Sequence, residues 1–390
     1  MTLRDHGYYK SHGRRVSKII GTKFFAKTGI KTSYHLFDEE LASVDLFVEP
    51  ESSLDELYAR RARQLREEYD YLILAFSGGT DSEHVFRTFY KNGIRLDEIF
   101  HYHYDLNYRD KLIGMKIENE TYEHEQLSLP LIKLIKDTLC PDIEITIVDH
   151  TKLSIGFYER MGSRWHEKID PDQLHRFFAP SSIWRADVSM ANPKWQQMLD
   201  SGKRVALILA KEKLEVMKDE RGWYFQYSDA QNFRWLMPPV QRIENPMSTE
   251  LFYTHPSTIE MQVKQAHTVK ANAARYPVLI DKLKISSREW DNSYASACYG
   301  KRFLPLPFLS LKERDWAQMY GSSFGNHGAS SKWFLLEEDE TWHKNWKNAM
   351  HDVYGNLGSK LFKSTDEMIS RGLESVSSIK HYFALNDTDA

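Results

Sequence analysis

Short apolar stretches alternate with amphipathic segments over the first 210 residues. The apolar stretches are 71–76 (YLILAF), 98–104 (EIFHYHY), 143–148 (IEITIV) and 205–210 (VALILA). Continuous apolar runs of this length are typical of strands that are buried on both faces of a parallel sheet. Because helical segments separate them, the pattern predicts an α/β fold built on a doubly wound, Rossmann-like parallel sheet.

The segments between these strands carry helix signals. Residues 54–69 repeat apolar side chains at helical spacing and follow a Ser53 start signal. In the next helix, Asn92-Gly93 provides the stop. Its predicted buried stripe consists of Val85, Phe86, Phe89 and Tyr90. Residues 116–139 are predicted to be mostly helical, with a break near Pro130.

A polar, glycine-rich hexapeptide, 77–82 (SGGTDS), joins the first strand directly to the next helix. Gly78 and Gly79 permit a close backbone approach to an anion, and dihedral angles that a Cβ would block. Ser77 and Ser82 add hydroxyls, and the helix predicted to begin near Ser82 directs its free N–H groups to the same place. These features predict a phosphate-binding loop, although not a Walker A loop, which requires a terminal Lys-Ser/Thr.

The hexapeptide resembles the SGGxDS signature of the PP-loop ATP pyrophosphatase (adenine nucleotide alpha hydrolase-like) superfamily. The similarity covers about a third of the chain. It implies a PP-loop fold in which ATP binds at 77–82, including Thr80, and is cleaved between the α and β phosphates. An adenylated acceptor and pyrophosphate would then be formed. ATP and Mg²⁺ are therefore the expected cofactors.

Other candidates follow from the rule that ligands bind beyond the carboxyl ends of parallel strands. Asp81 would hold Mg²⁺ against the phosphates, or would cap the following helix. Asp105, beyond the second strand, would contact ribose or adenine. Lys211 and Lys213, beyond the fourth, would neutralise charge on departing pyrophosphate, or form a solvated surface run.

Weaker candidates lie elsewhere in the chain. Lys301 and Arg302 follow Gly300 and are interpreted as an anion-binding turn that contacts the nucleotide. His101 and His103 alternate along a strand and are interpreted as partly buried strand residues rather than ligands. Residues 264–267 (KQAH) are a further candidate for substrate contact from a helix.

Three regions are expected along the chain. Residues 1–53 form an extension that is basic and then acidic, and 1–35 look partly irregular. Residues 54–237 form the nucleotide-binding α/β domain and end in a hairpin around 219–222. Residues 238–390 form a mostly helical substrate region with a frayed tail after Tyr382.

Charge distribution adds one alternative. The net charge of the 390 residues is −3, but 1–35 carry eight Lys or Arg side chains against one acid, Asp5. This basic arm is either a nucleic-acid contact or a solvated terminus.

No apolar run reaches the length of a membrane span, and the N-terminus lacks the apolar core of a signal peptide. We expect a cytoplasmic protein without membrane contact, and a homodimer is the candidate assembly.

The chain has two cysteines, Cys140 and Cys298, and their number and positions limit which metal sites and enzyme classes are possible. They exclude a four-cysteine zinc site, and neither lies in a C-x-x-C. No cysteine occurs before Cys140, so we expect no glutaminase of the N-terminal-cysteine type. Together with the resemblance to the PP-loop superfamily, these absences imply an adenylating enzyme for C–N (amide-type) ligation of an unidentified acceptor, which is the preferred interpretation. The alternatives are a nucleic-acid-modifying enzyme, a sulfur-transfer enzyme similar to adenylyl-sulfate reductases, and a regulatory module that binds ATP without turnover.

Overall fold

A computed structural model describes residues 7–103, 124, 128–168, 192–210, 214–227, 229, 247–275, 341–345, 347–348 and 378–385. Its strands are β1 (Tyr8–Ser11), β2 (Arg14–Val16), β3 (Ser33–His35), β4 (Tyr71–Ala75), β5 (Glu98–His103), β6 (Glu144–Asp149), β7 (Val205–Leu209), β8 (Glu215–Lys218), β9 (Gly222–Gln226), β10 (Ser248–Leu251) and β11 (His381–Leu385). Its α-helices are α1 (Lys18–Thr28), α2 (Asp38–Ala42), α3 (Leu54–Glu68), α4 (Thr80–Lys91), α5 (Leu129–Leu134), α6 (His150–Met161), α7 (Pro193–Asp200) and α8 (Ile259–Arg275). A π-helical turn, Ile135–Leu139, continues α5, and residues 341–345 are also helical.

The central element is a five-stranded parallel sheet with the order β10-β7-β4-β5-β6. All four predicted strands are present, which confirms the α/β class. Strand β4 lies in the middle, between β7 and β5. Its side chains alternate between two apolar cores: Leu72 and Leu74 face one, and Tyr71 and Ile73 face the other. The apolar run at 71–76 therefore reflects burial on both faces, as the sequence predicts.

Helices pack against both of these cores. Apolar side chains of α3, α4 and α5 join the core on the Leu72 side, whereas α7 packs on the opposite side through Trp195 and Leu199. Helix α3 begins as predicted, with a capping box in which Ser53 and Glu56 satisfy each other's backbone N–H groups. In α4, Val85, Phe86 and Phe89 are buried, but Tyr90 is 43% exposed. The predicted stripe was wrong there, because Tyr90 lies beyond the edge of the core.

The strand β10 is absent from the sequence-based prediction. Its residues, Ser-Thr-Glu-Leu, contain one apolar side chain, and so they do not look like a buried strand. Glu250 is nevertheless only 1% exposed. Its burial is tolerated because Arg61 of α3 donates to its carboxylate at 2.7 Å and Tyr69 donates to it at 2.6 Å. An ion pair between residues that are 189 positions apart thus replaces the usual apolar side chain at this position.

The hairpin predicted around 219–222 is confirmed as β8–β9, and β11 adds a third antiparallel strand to it. This corrects the expectation of a frayed tail directly after Tyr382, since the strand continues to Leu385. The strands β10 and β11 also show that the described part of 238–390 is not only helical.

Residues 7–35 are more regular than expected. Strands β2-β1-β3 form an antiparallel sheet, and α1 crosses between β2 and β3. Tyr9 and Tyr34 are buried in the same core as β4 and β7. The sequence analysis did not predict these strands, because an alternating apolar pattern cannot be recognised over only three or four residues.

None of the helices among the described residues is long and apolar enough to span a bilayer.

Candidate functional site

The loop 77–82 begins at the carboxyl end of β4, the central strand of the parallel sheet. Gly78 is buried and adopts a left-handed backbone conformation, with φ of 75°. A Cβ built on it would lie 2.8 Å from the Cα and the Oγ of Ser128. The predicted need for glycine is therefore confirmed at this position, because both the dihedral angle and the neighbouring backbone exclude a side chain.

Gly79 behaves differently from Gly78. It is the N-cap of α4 and has φ of −70° and ψ of 164°, which any residue adopts. The expectation that both glycines are needed for their dihedral angles was thus wrong for Gly79. As the N-cap, Gly79 has no side chain that could accept a hydrogen bond from the first N–H groups of α4. Among the described residues, no side-chain cap bonds to this end of the helix.

Two side chains from outside the loop bond to the carbonyls of Phe76, directly before the loop, and of Ser77, its first residue. His101 Nδ1 lies 2.7 Å from the carbonyl oxygen of Phe76, and Ser128 Oγ donates to the carbonyl oxygen of Ser77. A trans peptide directs its N–H opposite to its C=O. The N–H groups of Ser77 and Gly78 therefore point away from His101 and Ser128.

The first turn of α4 adds further donors at the same place. The helix begins at Thr80, two residues earlier than predicted, and Asp81 is its second residue. Asp81 is therefore not the cap, because Gly79 occupies that position. Since the free N–H groups of a helix N-terminus carry partial positive charge, this end of α4 favours an anion.

The two serines differ in their roles. Ser82 is 3% exposed, and its hydroxyl donates to the Gly79 carbonyl at 3.0 Å. Its oxygen lies 3.4 Å from Ser77 Oγ, which accepts from the Gly79 N–H at 3.3 Å. Ser82 thus stabilises the turn from inside, whereas Ser77 is exposed and faces solvent.

A pair of histidines lies behind the loop. His101 Nε2 and His124 Nδ1 are 2.6 Å apart, and His103 stacks on His124. Burial lowers the pKa of both His101 and His124 to about 4, so both rings are neutral at pH 7. Because a carbonyl only accepts, His101 must carry its proton on Nδ1, and His124 then donates to His101 Nε2. This confirms that His101 is a buried strand residue and gives it a second role, in holding the loop.

Tyr253 is a site residue that the sequence analysis missed. It follows β10, and its hydroxyl donates to the Asp81 carbonyl at 3.1 Å and lies 2.9 Å from His84 Nδ1. It therefore fixes the first turn of α4 from the β10 edge of the sheet, whereas His101 lies on β5, on the other side of β4 in the strand order. Recognising β10 in the sequence would have placed Tyr253 at the carboxyl edge.

Several predicted nucleotide contacts lie outside the described residues: Asp105, Lys211, Lys213, Lys301 and Arg302. For Thr80, the structure describes the backbone at the start of α4 but not the side chain. The pairing of β4 with β7 ends at Ala75 and Leu209, two residues before Lys211.

Two of the residues 264–267 contact the segment 46–50. Lys264 donates to Glu49 at 2.7 Å, and Nε2 of His267 lies 3.0 Å from the Leu46 carbonyl. Both side chains hold that segment against α8, and the substrate contact from this helix stays a prediction.

Neither a family model nor any curated protein matches the chain.

Within the described residues, no three metal-ligating side chains converge. Mg²⁺ that arrives with a nucleotide needs only one or two carboxylates, because phosphates and water supply the remaining ligands. Asp81 beside the open helix end fits that requirement, and the left-handed Gly78 fits a phosphate.

Proposed function

We propose that the protein is an ATP-dependent adenylating enzyme of the PP-loop type. The observation that carries the proposal is the loop after β4. The carbonyl oxygens of Phe76 and Ser77 are bonded to His101 and Ser128, so the N–H groups of Ser77 and Gly78 point away from these two side chains, just before the uncapped end of α4. Loop N–H groups that precede a helix N-terminus in this way are typical of phosphate binding.

The strand order supports the same position for the site. We interpret the sheet as doubly wound, because the chain proceeds from β4 outward to β5 and β6, and returns to β7 and β10 on the other side. In such sheets, ligands bind beyond the carboxyl ends of the strands where the winding direction changes. That point is the carboxyl end of β4, where 77–82 lie.

In the proposed reaction, an acceptor carboxylate oxygen attacks the α-phosphorus of ATP. The bond from that phosphorus to the bridging oxygen breaks, and pyrophosphate leaves with the electron pair. An amine then attacks the acyl carbon, loses a proton and displaces AMP. The loop N–H groups hold the phosphates, and the protein contributes positioning and charge stabilisation rather than a side-chain nucleophile.

The remaining roles extend this proposal. Asp81 would hold Mg²⁺, which supplies charge neutralisation at the phosphates when bound. Lys211 or Lys213 would meet the charge that grows on pyrophosphate, with Lys211 preferred because it is nearer to the end of β7. Asp105 would contact the nucleoside, and Lys301 and Arg302 a further anionic group.

A sulfur-transfer activity has less support. Cys140 lies after the π-helical turn that continues α5, and burial raises the pKa of its thiol. A raised pKa reduces the thiolate fraction and so makes Cys140 a poorer nucleophile.

The products of turnover test the proposal. The protein is incubated with ATP, Mg²⁺ and a protein-free small-molecule extract, and nucleotides are separated by chromatography. We expect an adenylated compound in the mass spectrum, and pyrophosphate in an amount equal to the sum of AMP and that compound. ADP and phosphate as the main products would contradict the proposal.

A matched pair of variants identifies the site. Asp81→Asn should lower this activity at least about tenfold, because it removes the charge that organises metal and phosphate. Asp55→Asn is the control, since Asp55 is likewise the second residue of its helix, α3, and is exposed. Both variants lose the same favourable interaction with a helix end. Equal losses in the two variants would remove Asp81 from the site.

A further inference from the structure

Residues 7–37 form a structural unit that the proposed ATP chemistry does not use. We call this unit, which consists of β1–β3 and α1, the basic module. It is firmly attached to the rest of the protein. Lys18 pairs with Asp229 at 2.6 Å, with exposures of 5% and 1%, and Tyr9 donates to the same carboxylate at 2.8 Å. The module is therefore a fixed part of the surface.

The charge of the module is of one sign. Between Gly7 and Phe37 the chain has seven Lys or Arg residues and no Asp or Glu, although the net charge of the whole chain is −3. Lys18 is neutralised by its buried partner, but Lys10, Arg14, Arg15 and Lys27 are exposed. None of these four forms an ion pair with another residue that the structure describes. A dense set of cations on an otherwise acidic protein attracts a polyanion.

Aromatic rings lie among these cations. Phe24 and Phe25 of α1 are 39% and 37% exposed. His12, in the turn between β1 and β2, packs edge-on against Phe24 with ring centroids 5.6 Å apart. The hairpin turn and the exposed side of α1 therefore form one continuous surface, and Arg14 directly follows the turn.

The arrangement fits a nucleic acid better than a membrane. A helix that lies in a membrane interface separates an apolar face from a lysine-rich one. In α1, Phe24 and Lys27 are three residues apart and so share a face. The buried side of the helix contains Lys18 and Gly21, and Gly21 is packed so closely against Thr32 that a Cβ would lie 2.7 Å from its Oγ1. Cations beside exposed rings are the combination that binds phosphates and unstacked bases.

We propose that the basic module binds single-stranded nucleic acid. Its phosphates lie against Lys10, Arg14, Arg15 and Lys27, and a base stacks on Phe24. A single strand is required because the bases of a duplex have no free faces for stacking. The proposal is independent of ATP, so it can fail without affecting the adenylation proposal, and the converse also holds.

Fluorescence anisotropy with the full-length protein tests this, in the absence of ATP. The ligands are labelled oligo(dT), oligo(U) and a duplex, each of about 20 nucleotides, which exceeds the span of a typical single-strand site. Affinity is measured over a range of NaCl concentrations. We expect both single strands to bind more tightly than the duplex. A preference for oligo(U) or for oligo(dT) would support the proposal and identify the natural ligand.

Charge variants locate the contact. Each phosphate contact contributes about 0.7 to the slope of log affinity against log salt for a single strand. Arg14→Gln/Lys27→Gln should therefore reduce the slope by about 1.4. The control is Arg63→Gln/Lys203→Gln, which changes the net charge equally at exposed positions outside the module. The control should leave the slope unchanged.

Phe24→Leu separates stacking from apolar contact. Leucine retains apolar surface but has no ring face, so affinity should fall about fivefold or more with an unchanged salt slope. Thermal unfolding of each variant confirms that it folds. Three results would overturn the proposal: equal slopes in the two charge variants, duplex binding as tight as single-strand binding, or binding to phosphatidylserine vesicles without binding to oligonucleotides.

Discussion

Replacing Gly78 with alanine should weaken ATP binding more than any other small change in the loop. The new methyl group would lie 2.8 Å from Ser128 Cα, and 3.0 Å from its backbone nitrogen. A rotamer change cannot relieve a contact with backbone. Ordinary contact begins at 3.4 Å, so the loop or the start of α5 must move by about 0.6 Å.

The energetic cost has two parts. A left-handed conformation costs a non-glycine residue roughly 1–2 kcal/mol, and this part affects stability alone. The displacement affects binding, because it moves the N–H groups of Ser77 and Gly78 away from the phosphates. A hydrogen bond to a charged group contributes about 1.5–3 kcal/mol. Loss of one such bond should raise the Kd for ATP roughly 10- to 150-fold.

Gly93→Ala is the matched control for this variant. Gly93 follows the other end of α4 and has φ of 62°, but a Cβ there would meet nothing within 4 Å. It therefore carries the left-handed cost without the collision. Isothermal titration calorimetry with Mg-ATP and urea unfolding are measured on both variants. Gly93→Ala should lose stability by about 1–2 kcal/mol and retain its ATP affinity.

Two outcomes would refute this reasoning. If Gly78→Ala binds ATP with unchanged affinity while it remains folded, the loop is not the phosphate site. If Gly93→Ala loses as much ATP affinity as Gly78→Ala, then general destabilisation explains both results, and the geometry of the loop does not.

Two further predictions concern the surroundings of the loop. His101→Asn retains a donor for the Phe76 carbonyl and should keep most ATP affinity, whereas His101→Leu should lose it. Burial lowers the pKa of His101 in the folded protein from 6.5 to about 4. Between pH 6.5 and 4, the unfolded chain therefore binds a proton on this ring that the folded protein does not bind, and the free energy of unfolding falls as the pH falls through this range. His101→Asn should reduce the slope of the free energy of unfolding against pH, measured by urea unfolding, by up to about 1.4 kcal/mol per pH unit. An unchanged slope would contradict the assignment of a neutral His101 ring. On α3, Arg61→Met should cost about 3–5 kcal/mol because it leaves Glu250 charged and buried, whereas Arg60→Met, which breaks an exposed pair with Glu260, should cost less than about 1 kcal/mol. Similar losses in the two arginine variants would show that burial does not determine the cost.

Much of the central fold could be predicted from the sequence because its signals are local. The apolar runs at 71–76 and 205–210 identify strands with two buried faces, and the Ser53–Glu56 pair identifies the start of α3. The glycines between a strand and a helix identify the loop. In each case the physical cause lies within a few neighbouring residues, so one chain segment is enough to reveal it.

Only the tertiary structure decided which groups surround that loop. The left-handed φ of Gly78 depends on close packing against Ser128, fifty residues away, and nothing in Ser-Gly-Gly distinguishes it from Gly79. The same holds for His101, whose bond to Phe76 follows from the pairing of β4 with β5. Tyr253 reaches α4 because β10 joins the sheet, and β10 is stabilised by an ion pair with α3 rather than by its own apolar pattern. These contacts join residues that are distant in sequence, and the periodicity of a single segment carries no record of them.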